Sequence, residues 1–222
     1  MKTEAALIII GIAITIILIV HSLNIERRKK LAAYAKAQGW QFFFEKDKNL
    51  QNRYPAFKSL HRGHTRYAFN IMQGVKKKRN VPVFDYHYVS GHGKQRKVHH
   101  FSALILQSPL SLKPLFIRPE HIFDKMSDFF GYNDIDFESA EFSRKFYVKA
   151  QDRRWAYDVL HQRTIEYLLE APKFHMQFAS KDIIAWRNNR FAVKDYDDAF
   201  DLIQELLNRL PDYVKKQQLE SG

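Results

Sequence analysis

Residues 83–100 read VFDYHYVSGHGKQRKVHH. Apolar and polar positions alternate on both sides of a glycine-rich basic centre, which predicts two antiparallel strands joined by a tight turn. A two-residue turn with Gly93 first and Lys94 second fits type II′, since that turn needs positive φ at its first central position. Opposed residue numbers then sum to 187. One face carries the pairs Phe84 with Ala103, Tyr86 with Phe101 and Tyr88 with His99. The other carries Val83 with Leu104, Asp85 with Ser102, His87 with His100 and Val89 with Val98. The aromatic face belongs in a core. A turn at His92-Gly93 would instead oppose Asp85 and His100.

The chemistry of this stretch has several readings. Gly91-His92-Gly93-Lys94 resembles the end of a phosphate loop, but a Walker motif needs an earlier glycine where Tyr88 stands and a hydroxyl where Gln95 stands. Six of the ten histidines lie between residues 61 and 100. Asp85, His87 and His100 offer two or three metal ligands on one exposed sheet face, the basis of an alternative reading as a metal-dependent hydrolase or nucleic-acid-processing enzyme. No H-E-x-x-H spacing supports it. A restriction-type nuclease core, which the strand aspartate resembles, would carry E-x-K on the following strand, where His99-His100-Phe101 stands. Glu120, Asp124 and Asp128 share one face of an expected helix, but acids in an early helical turn are favoured by the helix dipole alone. No serine sits in a G-x-S-x-G turn. No cofactor is expected, and catalysis is not the favoured reading.

Outside this hairpin the strongest signal is at the N-terminus. Ala5 to Ile25 carries no charged residue, and 21 helical residues span roughly 30 Å, the thickness of a bilayer core. A cleaved signal peptide would have a shorter apolar core and an A-x-A-like site. Here His21-Ser22-Leu23-Asn24 follows instead, which favours an uncleaved anchor. Arg27, Arg28, Lys29 and Lys30 flank the apolar run, so the positive-inside rule predicts the N-terminus outside and the domain in the cytoplasm.

The 222 residues leave room for one domain beyond this anchor. The absence of cysteine excludes disulfides, thiolate metal sites and a cysteine nucleophile. Charge is uneven. Residues 26–118 hold 20 Lys+Arg against 4 Asp+Glu, a net +16, whereas residues 119–222 hold 15 against 19, a net −4. The basic half adjoins the membrane, and an anionic leaflet offers about 1 kcal/mol per basic residue near its surface. Arg27, Arg28, Lys29, Lys30, Lys76, Lys77, Lys78, Arg79, Lys94, Arg96 and Lys97 are therefore the expected headgroup contacts. A solvated basic face is the plain alternative. Nucleic acid is disfavoured as the polyanion by the membrane tether.

A short basic helix is expected over 26–39, ending at Gly39, followed by a buried strand at Trp40–Phe44. A hairpin is expected from FKSLHRG with HTRYAFNIMQG, with Lys76–Arg79 in the next connection. A helix over 120–131, strands in DIDFES and FSRKFYVKA, and one or two helices over 152–170 follow. FHMQF is expected as a strand, DIIAWRNNRFAV as two strands around Asn188-Asn189, and Tyr196–Leu210 as a closing amphipathic helix.

GWQFFFEKDKNLQNRYPAF, FDYHYVSGHGK and RPEHIFDKM together resemble a group of small prokaryotic single-pass membrane proteins of no known activity. They share the pattern GW-x-F, FDY-x-Y-x-x-G-x-GK and RPE. The resemblance covers most of residues 39–147; it implies a bacterial inner-membrane protein and supplies no site residue. The sequence thus predicts an anchor at 1–25, a basic juxtamembrane helix at 26–39 and a cytoplasmic α+β domain of antiparallel hairpins and helices at 40–222. Its expected role is a noncatalytic interaction module that meets anionic headgroups and a protein partner.

Overall fold

In a computed structural model, which describes residues 2–120 and 133–220, the chain begins with one continuous helix, α1 (Lys2–Ala37). Its 36 residues rise about 54 Å, more than a bilayer core requires. The apolar run is bare: Leu7 is 69% and Ile17 66% exposed, so these side chains need a nonaqueous surround. This helix is long and apolar enough to cross a membrane. Past the run, the helical repeat turns Asn24, Arg27, Leu31, Tyr34 and Ala35 toward the domain and leaves Arg28, Lys29 and Lys30 exposed. The expected juxtamembrane helix is therefore the C-terminal end of the same helix, with no break at residue 25.

The remaining elements are β1 (Gln41–Phe43), α2 (Leu50–Arg53), β2 (His64–Lys76), β3 (Arg79–Ser90), β4 (Lys97–Pro119), β5 (Asn133–Asp134), α3 (Ala140–Lys145), β6 (Phe146–Ala150), α4 (Arg153–Val159), α5 (Gln162–Glu170), β7 (His175–Arg187), α6 (Val193–Arg209) and α7 (Asp212–Glu220). All strand pairs are antiparallel, in the order β1-β2-β3-β4-β6-β5, with β7 on the other side of β4. The 23-residue β4 is the spine of the sheet. One edge pairs with β3 and then, farther along, with β6; the opposite edge pairs with β7 from Ser102 to Ile117.

Both sheet faces are covered. One core joins Val83, Leu104 and Met72 to Leu31 of α1 and to Tyr196, Phe200 and Ile203 of α6. The other joins Phe84, Tyr86, Phe101 and Trp186 to Leu50, Phe57 and Leu60. The aromatic face of the β3–β4 hairpin thus lies in a core as expected. The opposite face, expected to be exposed, is buried too: Asp85 is 0% and His87 8% exposed.

The β3–β4 pairing follows the predicted register at every pair, from Val83 with Leu104 to Val89 with Val98. The turn differs. Six residues, 91–96, join the strands, with a 3₁₀ turn at Gly93–Gln95 and positive φ at both Gly91 and Gly93. A two-residue and a six-residue loop centred on the same point give the same register. The tight turn lies instead between β2 and β3, where Lys77 and Lys78 take φ of 49° and 65°.

Other expectations shift for physical reasons. Lys58–His61 is a 3₁₀ helix, whose Leu60 fills the second core. Trp40 is buried, but β1 is an edge strand that leaves Phe44 exposed. Asn188-Asn189 closes no hairpin, because β7 runs unbroken from His175 to Arg187 and α6 follows. Ser139 caps α3, whose residues 142–145 had been expected to be extended. Residues 152–170 form two helices, and α6 ends before Pro211 as expected. The helix predicted over 120–131, with Asp124 and Asp128, lies outside the described residues apart from Glu120.

Trp40 lies so close to β2 that a Cβ on Gly74 would sit 2.0 Å from its ring. Gly74→Ala is therefore expected to destabilise the domain by about 1–3 kcal/mol, the usual cost of overpacking. Urea unfolding of the full chain in detergent, followed by tryptophan fluorescence, measures it; an unchanged midpoint would mean that Trp40 is free to move aside.

Candidate membrane-proximal site

Asp85 is the lone carboxylate on β3, set between Phe84 and Tyr86, and a buried charge of this kind must find a partner. Its partner is Arg27 of α1. Nε donates to Oδ2 at 2.9 Å and Nη2 to Oδ1 at 2.7 Å, a two-pronged geometry available to arginine and not to lysine. Asn70 donates to Oδ2 at 2.8 Å and the Ser102 hydroxyl to Oδ1 at 2.5 Å. Arg27 Nη1 also donates to the Phe191 carbonyl at 2.7 Å, and the Phe191 amide donates to Ser102 Oγ at 2.9 Å. Burial works against the Arg27 charge, but the hydrogen bonds and charge of Asp85 outweigh it and hold the guanidinium pKa above its ordinary value.

Farther along α1, Tyr34 donates to Asp197 at 2.9 Å, and Lys76 donates to the same oxygen at 2.6 Å. Trp40 then meets Gly74. The helix therefore runs along the sheet from the Asp85 level toward the β2–β3 turn. The opposite end of β3, with loop 91–96, lies on the side from which the apolar run arrives. Arg190 marks the same side: its Nη1 donates to Asn24 Oδ1 of α1 at 2.8 Å, and its guanidinium lies over Phe69.

This geometry divides the basic residues that the sequence grouped together. Arg27 is turned into the domain and held by Asp85. Lys76 is paired with Asp197, and Lys76 and Lys77 both lie over Phe200. Lys76–Arg79 forms the turn at one end of β3, while Lys94 and Arg96 in the loop and Lys97 beside it stand at the other. Asp85 and Arg79 are six residues apart, about 20 Å along an extended strand. Arg28, Lys29, Lys30, Lys94, Arg96 and Lys97 are exposed. Arg27, grouped by sequence with the headgroup contacts, is held in the fold by Asp85, and Lys76–Arg79 stands at the end of β3 farther from the apolar run.

The metal alternative is corrected by the same carboxylate. His87 and His100 do meet, with Nδ1 and Nε2 3.0 Å apart, Tyr67 stacked on His87 and Phe69 beside His100. Both oxygens of Asp85, however, are committed to Arg27, Asn70 and Ser102, so a cation at this point would have to displace the arginine. Among the described residues no group of three histidine or acidic side chains is placed to hold a metal.

Burial lowers the proton affinity of both imidazoles, helped at His87 by Lys46 and Arg96 and at His100 by Arg190 and His87. For His100 the pKa falls to about 4, although Asp85 pulls the other way and His99 adds to the fall. Neutral rings suit the contact, with one nitrogen donating and the other accepting.

The role of Arg27 escaped the sequence reading, although two signals carried it: the isolation of Asp85 among only four acids in residues 26–118, and the place of Arg27 on the same helical face as Leu31, Tyr34 and Ala35.

The architecture defines a mixed α+β protein with an antiparallel sheet mounted on an apolar N-terminal helix. No family model and no curated protein matches the sequence. Among solved structures, the chain is similar to the crystal structure of the mycobacterial trehalose monomycolate transport factor A, TtfA. Identity is 12%, the TM-score is 0.63, and the match covers 83% of this chain and 96% of that one. At that identity the likeness is one of fold.

Removing one side of the buried pair is expected to cost about 3–5 kcal/mol. Arg27→Ala should show this loss in urea unfolding, while Arg27→Met combined with Asp85→Leu should recover most of it; a single variant as stable as the wild type would show that the pair does not mount the domain. Stability should also depend on pH through His87 and His100. Their folded proton affinity lies below the unfolded value of 6.5, so the unfolded chain takes up protons first as pH falls. Their contribution is complete above pH 6.5 and declines toward about pH 4 for His100. A His87→Gln and His100→Gln variant should flatten that slope, and an unaltered slope would assign it to other groups.

Proposed function

We propose that this chain is a bacterial inner-membrane protein, N-terminus outside and domain cytoplasmic, that acts as a noncatalytic interaction module held at a set height above the lipid. The observation that carries this reading is the Arg27–Asp85 network, which fixes the sheet to the anchor helix just past its apolar run. The domain does not hang on a free linker. It is mounted so that Arg28, Lys29, Lys30, Lys94, Arg96 and Lys97 meet anionic headgroups, while the acidic C-terminal half recruits a protein partner. The positive flank of the apolar run supports the orientation. The fold shared with a protein described as a transport factor supports an accessory role beside membrane machinery, with no reaction of its own.

The test uses the full chain in nanodiscs of phosphatidylcholine alone or with phosphatidylglycerol. Hydrogen exchange of residues 91–97 should slow only with the anionic lipid, and the protection should vanish in high salt, where screening is short-ranged. Replacing Lys94, Arg96 and Lys97 with glutamine should abolish it. Equal exchange in both lipids would overturn headgroup docking. The absence of native cysteine makes orientation simple to read: Lys216→Cys should resist a membrane-impermeant maleimide in intact spheroplasts and react after lysis.

A further inference from the structure

Between the end of β4 and the chain that leaves β7 lies a pocket of 460 Å³, lined by His99, His100, Asn188, Asn189 and Arg190 with Tyr88 and Phe101 at its wall. Three observations bear on what it holds. The first is position: Arg190 reaches Asn24 of the anchor helix, so the pocket opens at the level where the apolar run ends. The second is the strand edge. On that edge of β4 the pairing with β7 begins at Ser102, whose amide donates to the Asn189 carbonyl. The main-chain groups of Val98 and His100, which point the same way by the two-residue repeat, have no strand beside them there among the described residues.

The third is charge. Among the described residues no acidic side chain lines the pocket. The nearest buried carboxylate, Asp85, is committed to Arg27. Burial first, and Arg190 after it, lowers the proton affinity of His100, so the ring is neutral and Arg190 is the cation of the lining. A concave, polar, cation-bearing site at the membrane surface is suited to an anion with several acceptor oxygens.

We propose that this pocket binds the phosphate-bearing headgroup of one anionic phospholipid, with the Arg190 guanidinium and the Asn189 amide as donors and its acyl chains lying beside α1. The proposal rests on the membrane-docking reading and adds to it a single stoichiometric lipid, held apart from the exposed lysines of the loop.

Native mass spectrometry of the detergent-solubilised full chain, titrated with phosphatidylglycerol or phosphatidylcholine, provides the test. The wild type should retain one phosphatidylglycerol in preference to phosphatidylcholine. Arg190→Gln should weaken retention roughly tenfold or more, the usual effect of losing a charge-assisted hydrogen bond. Because Arg190 also touches α1, Asn189→Leu is the second variant; it should reduce retention without altering the contact of Arg190 with Asn24. The Lys94, Arg96 and Lys97 glutamine variant should keep its bound lipid while losing loop protection, which separates this site from general docking. Equal retention of the two lipids, or unchanged retention in both pocket variants, overturns the proposal even if loop protection persists. Displacement of the lipid by millimolar inorganic phosphate at constant ionic strength would assign the pocket to free phosphate and overturn the lipid as its ligand.

Discussion

Asp85 sits on β3 where the apolar N-terminal helix passes into the folded domain, and the rest of the architecture is arranged around its charge. A carboxylate at 0% exposure is tolerated only when its oxygens are satisfied. Here four groups from four separate segments supply the bonds: Arg27 on α1, Asn70 on β2, Ser102 on β4, and Phe191 before α6, which joins through Ser102 and Arg27. The network therefore closes only when helix, hairpin and C-terminal segment are all in place. Tyr34, Lys76 and Asp197 repeat the device farther along α1, and Trp40 seated on Gly74 ends it.

The spine of the sheet gives this mount its stiffness. Because β4 is paired with β7 along most of one edge and with β3 and β6 along the other, the strand bearing Ser102 is anchored far beyond the site. Both faces are covered, one by α1 and α6 and the other by the segment around Leu50, Phe57 and Leu60. Motion of the mount would thus have to deform two cores, which are close-packed and resist small displacements. The ends of β3 and β4 nearest the apolar run are different. Before Ser102, among the described residues, one edge of β4 has no strand beside it, and the loop at 91–96 is exposed, so that end is less constrained than the mount.

Much of this was legible in the sequence, and the limits are instructive. Alternation of side chains set the β3–β4 register, because a shift by one residue would have turned Phe84, Tyr86 and Phe101 out of the core. The apolar run declared the anchor by length alone. Alternation does not say whether the second face is also covered, so Asp85 and His87 were expected on an open surface. Local turn chemistry misled at Asn188-Asn189, where the pairing of β7 with β4 decided the strand's end, and at Gly93, where two loop lengths give one register. The basic residues could be counted but not sorted, since the division between Lys76–Arg79 and Lys94–Lys97 exists only once β3 separates them. Arg27 looked like its three neighbours because a topology signal and a buried anchor use the same residue type.

A buried ion pair is a weak source of net stability, and an apolar contact of similar size would serve that purpose as well. What the pair adds is register. An apolar helix face can slide by one turn, about 5.4 Å, and still bury similar surface. The Arg27 fork meets the Asp85 oxygens in one position, so the slid arrangement leaves two charges buried and unpaired. Electrostatic contact with a charged surface decays over about 8 Å at physiological ionic strength. A slip of one turn is comparable to that range, and under the proposed headgroup docking it would carry Lys94, Arg96 and Lys97 into the lipid or largely out of its field. On that proposal the domain has a physical reason to be mounted by charge, and the cost of burying Asp85 is intelligible as the cost of a fixed height.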